Sequence, residues 1–547
     1  MHVYLDHIQP MRDRELDRAQ RVLGRERARA TMPHGPRSRG RYADLSPRSR
    51  CSVSASTRAY TRAAVCRGGA DMSKQPSRGV DLSAYRVSRR RFLMGTGALV
   101  AGVACSTTPV SSATQAPAAS AGTLEMAAWT IGPDAPSYYR RDNLISAVDP
   151  LNKALAGKPT IKLDATFESG GQWGDYLQKF TLAAEAKTSP DIILAGHENL
   201  APWVGPNYII PLDDLIKKYQ SEGDIKDVIP NLWNAMKLKG KTYGVPQDTE
   251  ARPMYYRKDL LAKMGWTKDK IDGLPDAVKK GDWAWPDFVA TAKEAIAKGV
   301  VGPGMGWYTR TSKGADVYMF YYQNGGEMQD AATGKLVITK DALQKHYQVH
   351  ADAVRNDKIL TQAIYGMDGK IFDQTVMDGK VLFFNAGTWK WSDWQTTYKV
   401  PAQSLWDNVG FMLIPAAQKG GKPVTVSHPL AYAVTSNAKD PDLAFRLIAN
   451  ATTPDLNSRH SVTSAHLAVL TTQADDPTYK QDKFLLATGY MLDFTKFIPN
   501  HAKFGIYDDV LYRFLGAVEQ GQVTPAAAVD SAVKELQGQI GDELIVK

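Results

Sequence analysis

The sequence predicts an α/β fold, and four consecutive segments carry that prediction. Residues 123–130 form one predicted strand. Residues 160–167 form a second, in which apolar and polar side chains alternate. A helix is predicted over about 174–186, where the apolar side chains recur at helical spacing. Residues 190–194 follow as a short buried strand. Strand, helix and strand at this spacing indicate parallel α/β architecture.

Two later helices have recognisable beginnings. Trp285 precedes Pro286 and Asp287, and a proline and an acidic residue are typical of a first helical turn. Thr524 precedes Pro525, which is the pattern of an N-cap followed by the first helical residue. Helix signals therefore continue to the C-terminal end of the chain.

Charge is distributed unevenly along the 547 residues. Residues 1–104 hold 21 of the 67 Lys and Arg residues and 8 of the 57 Asp and Glu residues. The remaining chain holds 46 and 49 of these residues and is close to neutral. The basic balance thus belongs to the front segment, and it does not indicate nucleic-acid binding by the folded body.

The first 87 residues are interpreted as a disordered basic extension. They are rich in Arg, Ser and Ala and show no sustained apolar period, so they cannot bury enough surface to offset their chain entropy. One explanation of this extension is a start site assigned too early, with true initiation at Met72. A basic nucleic-acid arm is the alternative reading.

Residues 88–104 have the pattern of an export signal. Arg89 and Arg90 precede an apolar run from Phe92 to Ala104, whose 13 residues are too few for a membrane span of about 20. The paired arginines resemble the twin-arginine signal. The residues ending at Cys105 resemble the lipobox of bacterial lipoproteins, although Gly102 stands where a larger aliphatic is usual; an ordinary cleaved signal is the alternative. Residues 105–122 are a predicted linker rich in Ser, Thr, Ala and Pro.

From about residue 123 to the end, the chain resembles the family-1 extracellular solute-binding proteins of ABC importers. Four segments carry the resemblance in the family's order and spacing: Pro190-Asp191-Ile192-Ile193-Leu194 with Ile210-Pro211-Leu212-Asp213; Gly240-Lys241-Thr242-Tyr243-Gly244-Val245-Pro246 continuing to Leu261; Met377-Asp378-Gly379-Lys380 continuing to Gly387-Thr388-Trp389; and Val409-Gly410-Phe411 continuing to His428-Pro429-Leu430-Ala431-Tyr432.

The resemblance implies a two-lobed periplasmic-binding-protein fold of type II, in which each lobe is a central sheet flanked by helices and the ligand lies between the lobes. The implied boundaries are 123–247 and 427–485 for the first lobe, and 248–426 and 486–547 for the second. The implied function is capture of a mono- or oligosaccharide, its delivery to separate permease subunits, and no catalysis. We expect a monomer at the outer face of the cytoplasmic membrane, anchored by lipid on Cys105, or in the periplasm.

The resemblance also implies ligand contacts. Asp134 is a candidate hydroxyl acceptor, His197, Glu198 and Asn199 follow the third strand, Glu250 lies at a crossover between lobes, and Trp389 is the stacking aromatic. Carboxyl ends of strands in open α/β sheets bind ligands, which independently favours the residues after the third strand. The full candidate set is Trp129, Asp134, Trp173, His197, Glu198, Asn199, Gln247, Glu250, Arg252, Trp307, Asn324, Trp389 and Tyr507.

Several of these candidates have a second interpretation. Gln247 and Arg252 contact either ligand or surface, and Trp173 and Trp389 face either cleft or core. Glu198 is alternatively a helix-capping residue. Asn324 stands where the family's maltose binder has a cleft tyrosine, which indicates a different substrate. Trp307 follows a glycine-rich run that lacks the Lys-Ser/Thr of a phosphate loop, so the run is interpreted as a turn.

No catalytic, metal or cofactor motif is found in the sequence. His197 is interpreted as a neutral hydrogen-bonding side chain rather than a metal ligand. A His-Glu-x-x-His motif, a cysteine cluster, a nucleophile elbow and a Walker loop are absent from the sequence. The alternatives that stay open are a glycerophosphodiester or polyamine binder of the same fold, and a secreted glycan-active enzyme.

Overall fold

A computed structural model describes residues 122–547 apart from positions 134, 157, 158 and 171, and these residues belong to one compact unit. The strands are β1 (Thr123–Gly132), β2 (Thr160–Ser169), β3 (Ile192–Gly196), β4 (Lys237–Leu238), β5 (Lys241–Thr242), β6 (Val245–Asp248), β7 (Met254–Arg257), β8 (Trp307–Tyr308), β9 (Leu336–Ile338), β10 (Phe383–Asn385), β11 (Val409–Met412), β12 (Thr425–Ser427), β13 (Leu430–Val434), β14 (Thr495–Phe497) and β15 (Leu544–Val546).

The helices surround two of the sheets. They are α1 (Tyr139–Leu155), α2 (Trp173–Glu185), α3 (Leu200–Val204), α4 (Asp213–Lys218), α5 (Pro230–Ala235), α6 (Lys258–Lys263), α7 (Lys268–Asp272), α8 (Leu274–Lys280), α9 (Trp285–Ala297), α10 (Met319–Gln323), α11 (Lys340–Ala351), α12 (Gly369–Met377), α13 (Lys390–Thr396), α14 (Ala402–Asn408), α15 (Pro441–Ala451), α16 (Pro454–Ser464), α17 (Lys483–Thr488), α18 (Phe504–Glu519) and α19 (Pro525–Ile540).

The first lobe is built on a five-stranded sheet in the order β2-β1-β3-β13-β6. Strands β2, β1 and β3 run parallel, as the strand–helix–strand pattern predicted. Strand β13 pairs antiparallel with β3, with Leu430 opposite Gly196, because the chain re-enters this lobe at the edge where β3 ends. The sheet is therefore mixed, and the last residues of β3 and β6 lie beside the first residue of β13.

The second lobe is built on a four-stranded sheet in the order β11-β7-β10-β8. Strands β10 and β8 are parallel, whereas β7 pairs antiparallel with both β10 and β11. Each sheet has a hydrophobic core of its own, one formed around residues 126–245 and 430–451 and the other mostly around residues 251–426 and 465–540. Two sheets and two cores confirm the expected two-lobed α/β fold.

The segment that follows α16 contacts both lobes. Helix α16 ends at Ser464. Leu467, Tyr479, Phe484 and Leu485 pack in the core of the second lobe, whereas Val469 and Leu470 pack against Val228 and Leu232. The assignment of residues 427–485 to the first lobe and 486–547 to the second therefore stays a prediction.

Local signals account for the helix ends that were predicted. Thr524 accepts a hydrogen bond from the backbone N–H of Ala527, so it caps α19. Helix α9 begins with Trp285, and Asp287 accepts from the backbone N–H of Ala284 at 3.0 Å. Within the part of the chain that the structure describes, no helix has the length and apolarity needed to cross a membrane. Arg89, Arg90 and Cys105 lie outside the described residues.

Candidate functional site

A cavity of about 250 Å³ lies between the two lobes, at the strand edge where β3 and β6 end. The first lobe contributes Trp173 and Arg140, and the second contributes Trp389. The remaining walls carry acids, hydroxyl groups and imidazoles. The cavity is lined by Pro133, Pro136, Ser137, Arg140, Trp173, Asp248, Glu250, Arg252, Trp389, Ser392, Asp393, His428, Leu430, Ser464 and His466.

Two further cavities adjoin the first and share Arg252 with it. One, of about 490 Å³, also shares Trp173 and His428 and extends past Glu198 toward Lys313. The other, of about 320 Å³, also shares Trp389 and extends into the second lobe toward Arg310. Arg252 thus stands at the meeting point of a branched cleft between the lobes.

The floor of the cleft is a buried group that we call the Asp248 cluster: Arg140, Asp248, His460 and His466. Arg140 Nε donates to Asp248 Oδ2 at 2.8 Å, and His460 Nε2 donates to the same oxygen at 3.1 Å. Arg140 Nη2 lies 3.4 Å from His466 Nε2, and His466 Nδ1 donates to Ser464 Oγ at 2.8 Å. The guanidinium therefore occupies the space between the carboxylate and one imidazole.

Burial and charge fix the protonation of this cluster. Burial would raise the pKa of Asp248, but the charge of Arg140, together with His466 and His460, holds that pKa well below its usual value. Burial lowers the pKa of His466 to about 3, and it also lowers the pKa of His460. At neutral pH the cluster holds one ion pair and two neutral imidazoles.

A second group, which we call the Glu198 cluster, consists of His197, Glu198 and His428. His428 Nε2 donates to Glu198 Oε2 at 2.7 Å, and Asn199 Nδ2 donates to Glu198 Oε1 at 2.6 Å. His197 Nε2 donates to the carbonyl oxygen of Ile498 at 2.9 Å. The β3–β13 pairing brings these residues together, since Glu198 follows β3 and His428 precedes β13.

The Glu198 cluster differs from the Asp248 cluster in one imidazole, that of His428, whose pKa is raised rather than lowered. Burial would raise the pKa of Glu198, but the charge and the hydrogen bond of His428 lower it to about 2. Burial would lower the pKa of His428, but the charge of Glu198 raises it overall. Burial lowers the pKa of His197 to about 4, so that imidazole is neutral at physiological pH.

The crossover between β6 and β7 places a chain of ion pairs beside Trp389. Glu250 Oε1 accepts from the backbone N–H of His428 at 2.8 Å and from Arg252 Nη2 at 3.0 Å. Arg252 Nη1 donates to Asp316 Oδ1 at 3.2 Å, and the guanidinium carbon lies 4.7 Å from the centre of the Trp389 ring. Arg252 therefore links both crossovers to the second lobe.

A glycine permits the position of Trp389. A Cβ atom on Gly387 would come 1.7 Å from the indole, so only glycine leaves room for the ring to fold back over the backbone. Trp389 is half-buried and lies directly before α13, close after β10. The Gly-Thr-Trp turn thus presents the indole to the cleft.

The structure brings six of the sequence-predicted site residues to the cleft walls: Trp173, Glu198, Asn199, Glu250, Arg252 and Trp389. His197 lies behind Glu198 and is fully buried. Gln247 is buried in β6, and its amide has no hydrogen-bond partner among the described residues. Asp134 lies outside the described residues.

Four predicted residues lie elsewhere. Trp307 is fully buried in an aromatic core with Trp285, and its indole donates to Asn385 Oδ1 at 2.7 Å. Tyr507 is also fully buried, and its hydroxyl donates to the carbonyl oxygen of Val337 at 2.6 Å. Both assignments to the cleft are wrong, because these side chains satisfy their polar atoms inside the second core.

Trp129 and Asn324 also lie outside the cleft. Trp129 packs against the first core, with the Lys179 ammonium 4.5 Å from its ring centre. Asn324 ends α10 and lines a separate surface cavity beside Trp285. Neither residue is among those lining the three cavities of the cleft.

The sequence did not identify most of the polar residues of the cleft. The missed residues come from helix interiors and crossovers, where no local spacing marks them: Arg140, Asp248, Lys313, Asp316, His428, His460, Ser464 and His466. Of these, Asp248 and His428 were within quoted motifs, and His428 marked the second crossover. Antiparallel pairing of its strand with β3 would have placed it beside Glu198.

Comparison with known proteins places this architecture in one family. Residues 145–457 match the family described as bacterial extracellular solute-binding protein. Proteins of Brucella abortus and Brucella suis described as binding proteins are 30% identical over 149 residues, which is 27% of this chain and 32% of theirs. The match spans about a third of the length of these curated relatives.

Solved structures share the fold at low sequence identity. The GacH receptor of Streptomyces glaucescens superposes with a TM-score of 0.61 at 18% identity, covering 77% of this chain and 99% of the receptor. The sugar-binding protein MalE from Xanthomonas citri gives a TM-score of 0.62 at 16% identity, with 76% and 97% covered. An ABC substrate-binding protein from Listeria monocytogenes gives 0.60 at 17%, with 77% and 99% covered.

Proposed function

The chain belongs to the bacterial extracellular solute-binding protein family, and on that premise we propose that it captures a carbohydrate between its lobes and delivers it to an ABC importer. One observation carries the proposal. Trp173 from the first lobe and Trp389 from the second line the same 250 Å³ cavity, whose polar lining residues carry carboxylates, guanidinium groups, hydroxyl groups and imidazoles.

The chemistry of a pyranose suits this arrangement. Aromatic rings cover its apolar C–H faces, and charged or amide groups bind its hydroxyls. Three residues that line the second-lobe cavity carry buried donor atoms with no hydrogen-bond partner among the described residues: Arg252 Nε, Asn385 Nδ2 and Arg310 Nε. Hydroxyl and ring oxygens of a sugar are acceptors that would satisfy them.

Charge balance favours a neutral ligand. The cations along the cleft each have a carboxylate partner: Arg140 pairs with Asp248, Arg252 with Glu250 and Asp316, and Lys313 with Asp508. A site for a polyamine would need unpaired acidic side chains, and a site for a phosphodiester would need unpaired basic side chains. Because the charges are paired, these side chains would bind a ligand through directional hydrogen bonds, which suit hydroxyl groups.

The structural neighbours support the same substrate class. The Streptomyces glaucescens receptor was solved in complex with acarbose, and the Listeria monocytogenes protein in complex with cycloalternan. Because their identity to this chain is below 20%, they support a carbohydrate rather than a particular sugar.

The mechanism we propose is capture and closure, without turnover of the ligand. A sugar that contacts both indoles is bound by both lobes, so it favours the closed arrangement over the open one. The proposal includes a monomer that hands the sugar to permease subunits on other chains. It also includes export by the Arg89–Arg90 signal and anchoring by lipid on Cys105, as the sequence indicates.

A thermal-shift screen with mono- and oligosaccharides, glycerophosphodiesters and polyamines tests the substrate class. A ligand that binds only the native state raises the melting temperature. We expect at least one carbohydrate to raise it, with no new product detected after prolonged incubation. A shift with polyamines or phosphodiesters alone would contradict the proposal, and steady release of a cleavage product would contradict binding without catalysis.

A further inference from the structure

We propose that the Glu198 cluster is a binding site for a divalent transition-metal ion of the Zn²⁺ class, with an open coordination position facing the cleft. His197, Glu198 and His428 each offer one ligand atom within 4.8 Å of the others. His197 Nδ1 lies 3.7 Å and His428 Nε2 lies 2.7 Å from Glu198 Oε2. Two imidazoles and one carboxylate are a ligand set that suits zinc and its neighbours rather than calcium or magnesium.

His197 is oriented as a metal ligand, contrary to its interpretation from sequence. Its Nε2–H donates to the carbonyl oxygen of Ile498, which leaves a lone pair on Nδ1. Among the described residues Nδ1 has no hydrogen-bond partner, although the side chain is 0% exposed, and it lies 3.7 Å from Glu198 Oε2. Donation of the other ring nitrogen to a backbone carbonyl is how proteins orient metal-binding histidines.

Glu198 is held in the same manner. One of its oxygens accepts from Asn199 Nδ2 at 2.6 Å, and the other lies 2.7 Å from His428 Nε2. With bonds of about 2.1 Å, tetrahedral ligand atoms stand roughly 3.4 Å apart. A modest withdrawal of His428, whose side chain is 26% exposed, would open that space.

Gly196 makes the convergence of these side chains possible. A Cβ atom there would lie 2.5 Å from Glu198 Oε2 and 2.6 Å from His428 Nε2. Its backbone φ of −62° is ordinary, so glycine is required here for space rather than for conformation.

The open position comes from the cleft itself. Glu198 and His428 both line the 490 Å³ cavity, so a water molecule or a ligand oxygen can complete the coordination from that side. The site does not depend on the proposed carbohydrate, because all three ligands belong to the protein.

The Asp248 cluster has the same residue types and is not a metal site. Arg140 places its cationic guanidinium 2.8 Å from Asp248 Oδ2 and 3.4 Å from His466 Nε2. A metal ion would have to displace that buried charge. The Asp248 cluster therefore supplies a matched control within the same protein.

The test is a calorimetric titration of the full chain with Zn²⁺ alone, after chelator treatment, for the wild type, Glu198→Gln, His428→Gln and His460→Gln. Melting curves establish that each variant is folded. Co²⁺ absorption provides a second readout, because tetrahedral coordination gives a distinctive visible spectrum.

We expect one equivalent of Zn²⁺ to bind the wild type, with at least tenfold weaker binding in Glu198→Gln and His428→Gln and unchanged binding in His460→Gln. Absence of a stoichiometric site in the wild type would overturn the proposal. So would unchanged affinity in folded Glu198→Gln, or loss in His460→Gln alone. If either histidine variant fails to fold, the Glu198→Gln result and its Co²⁺ spectrum decide.

Discussion

The Glu198 and Asp248 clusters contain the same kinds of side chain and behave in opposite ways. Each places two imidazoles around one carboxylate at the cleft. In the Asp248 cluster Arg140 neutralises the acid, and both histidines are held neutral. In the Glu198 cluster no Lys or Arg side chain lies within ion-pairing distance of the acid among the described residues, and His428 carries the compensating charge. A single arginine thus decides whether such a group is a rigid floor or a site open to a cation.

The largest expected effect comes from breaking the buried pair. Arg140→Met removes the cation and leaves Asp248 charged and buried, which should cost about 3–5 kcal/mol of unfolding free energy. Urea denaturation measures this cost. Asp248→Asn in the same background should recover part of it, and a loss below about 1 kcal/mol in Arg140→Met would show that the pair contributes little.

The pH dependence of stability should separate the clusters next. The pKa of His466 is lowered to about 3, below its unfolded value of about 6.5, so the unfolded chain binds the extra proton in that window. Stability therefore falls as pH falls from about 6.5 toward 3, by about 1.4 kcal/mol per pH unit for this group. His466→Gln should flatten the slope by that amount in denaturation curves between pH 6 and 4.

His428 should show the opposite sign. Its folded pKa is raised, so the stability it contributes is present below about pH 6.5 and is lost as pH rises through the raised value. His428→Gln, measured with chelator present, should remove this loss on the alkaline side. If His466→Gln and His428→Gln changed the stability in the same pH range, the contrast between the clusters would be wrong.

Gly196→Ala should disturb the Glu198 cluster without unfolding the lobe. The added methyl meets the ends of two side chains that are able to move, so we expect a cost of about 1 kcal/mol. The same variant should lose the Zn²⁺ equivalent. Retention of full metal affinity would mean that Glu198 and His428 do not need this close approach.

The smallest expected effect is that of Glu198→Gln on stability. The carboxylate is 18% exposed, and a glutamine oxygen still accepts from His428, so the loss should stay below that of Arg140→Met. Thermal melting beside Arg140→Met makes the comparison direct. A loss as large as that of Arg140→Met would show that the two clusters are equally structural.

Local patterns predicted the elements of the first lobe well. The segments 123–130, 160–167 and 174–186 match β1, β2 and α2 to within two residues at each end, because alternation and helical spacing reflect burial directly. The antiparallel β13 was not predicted, since its direction depends on where the chain re-enters the lobe. Because the direction of β13 was unknown from sequence, the pairing of His428 with Glu198 was not predicted either.

The cleft itself was only partly predictable. The candidates Trp173, Glu250 and Trp389 lie in the cleft, whereas the candidates Trp307 and Tyr507 do not. An aromatic side chain suits a core as well as a sugar site, and Tyr507 lies among the buried side chains of α18. Arg140 and His466 are separated by 326 residues, so no local pattern joins them.

Calorimetric titration of a carbohydrate identified by the thermal-shift screen tests the central claim most directly, with the wild type, Trp389→Ala and Trp129→Phe compared. Trp389 lines the cleft and Trp129 does not, so both variants should fold while only the first loses affinity. We predict a loss of at least tenfold, about 1.4 kcal/mol or more, for Trp389→Ala and none for Trp129→Phe. Unchanged affinity in folded Trp389→Ala would contradict capture of the sugar between the lobes.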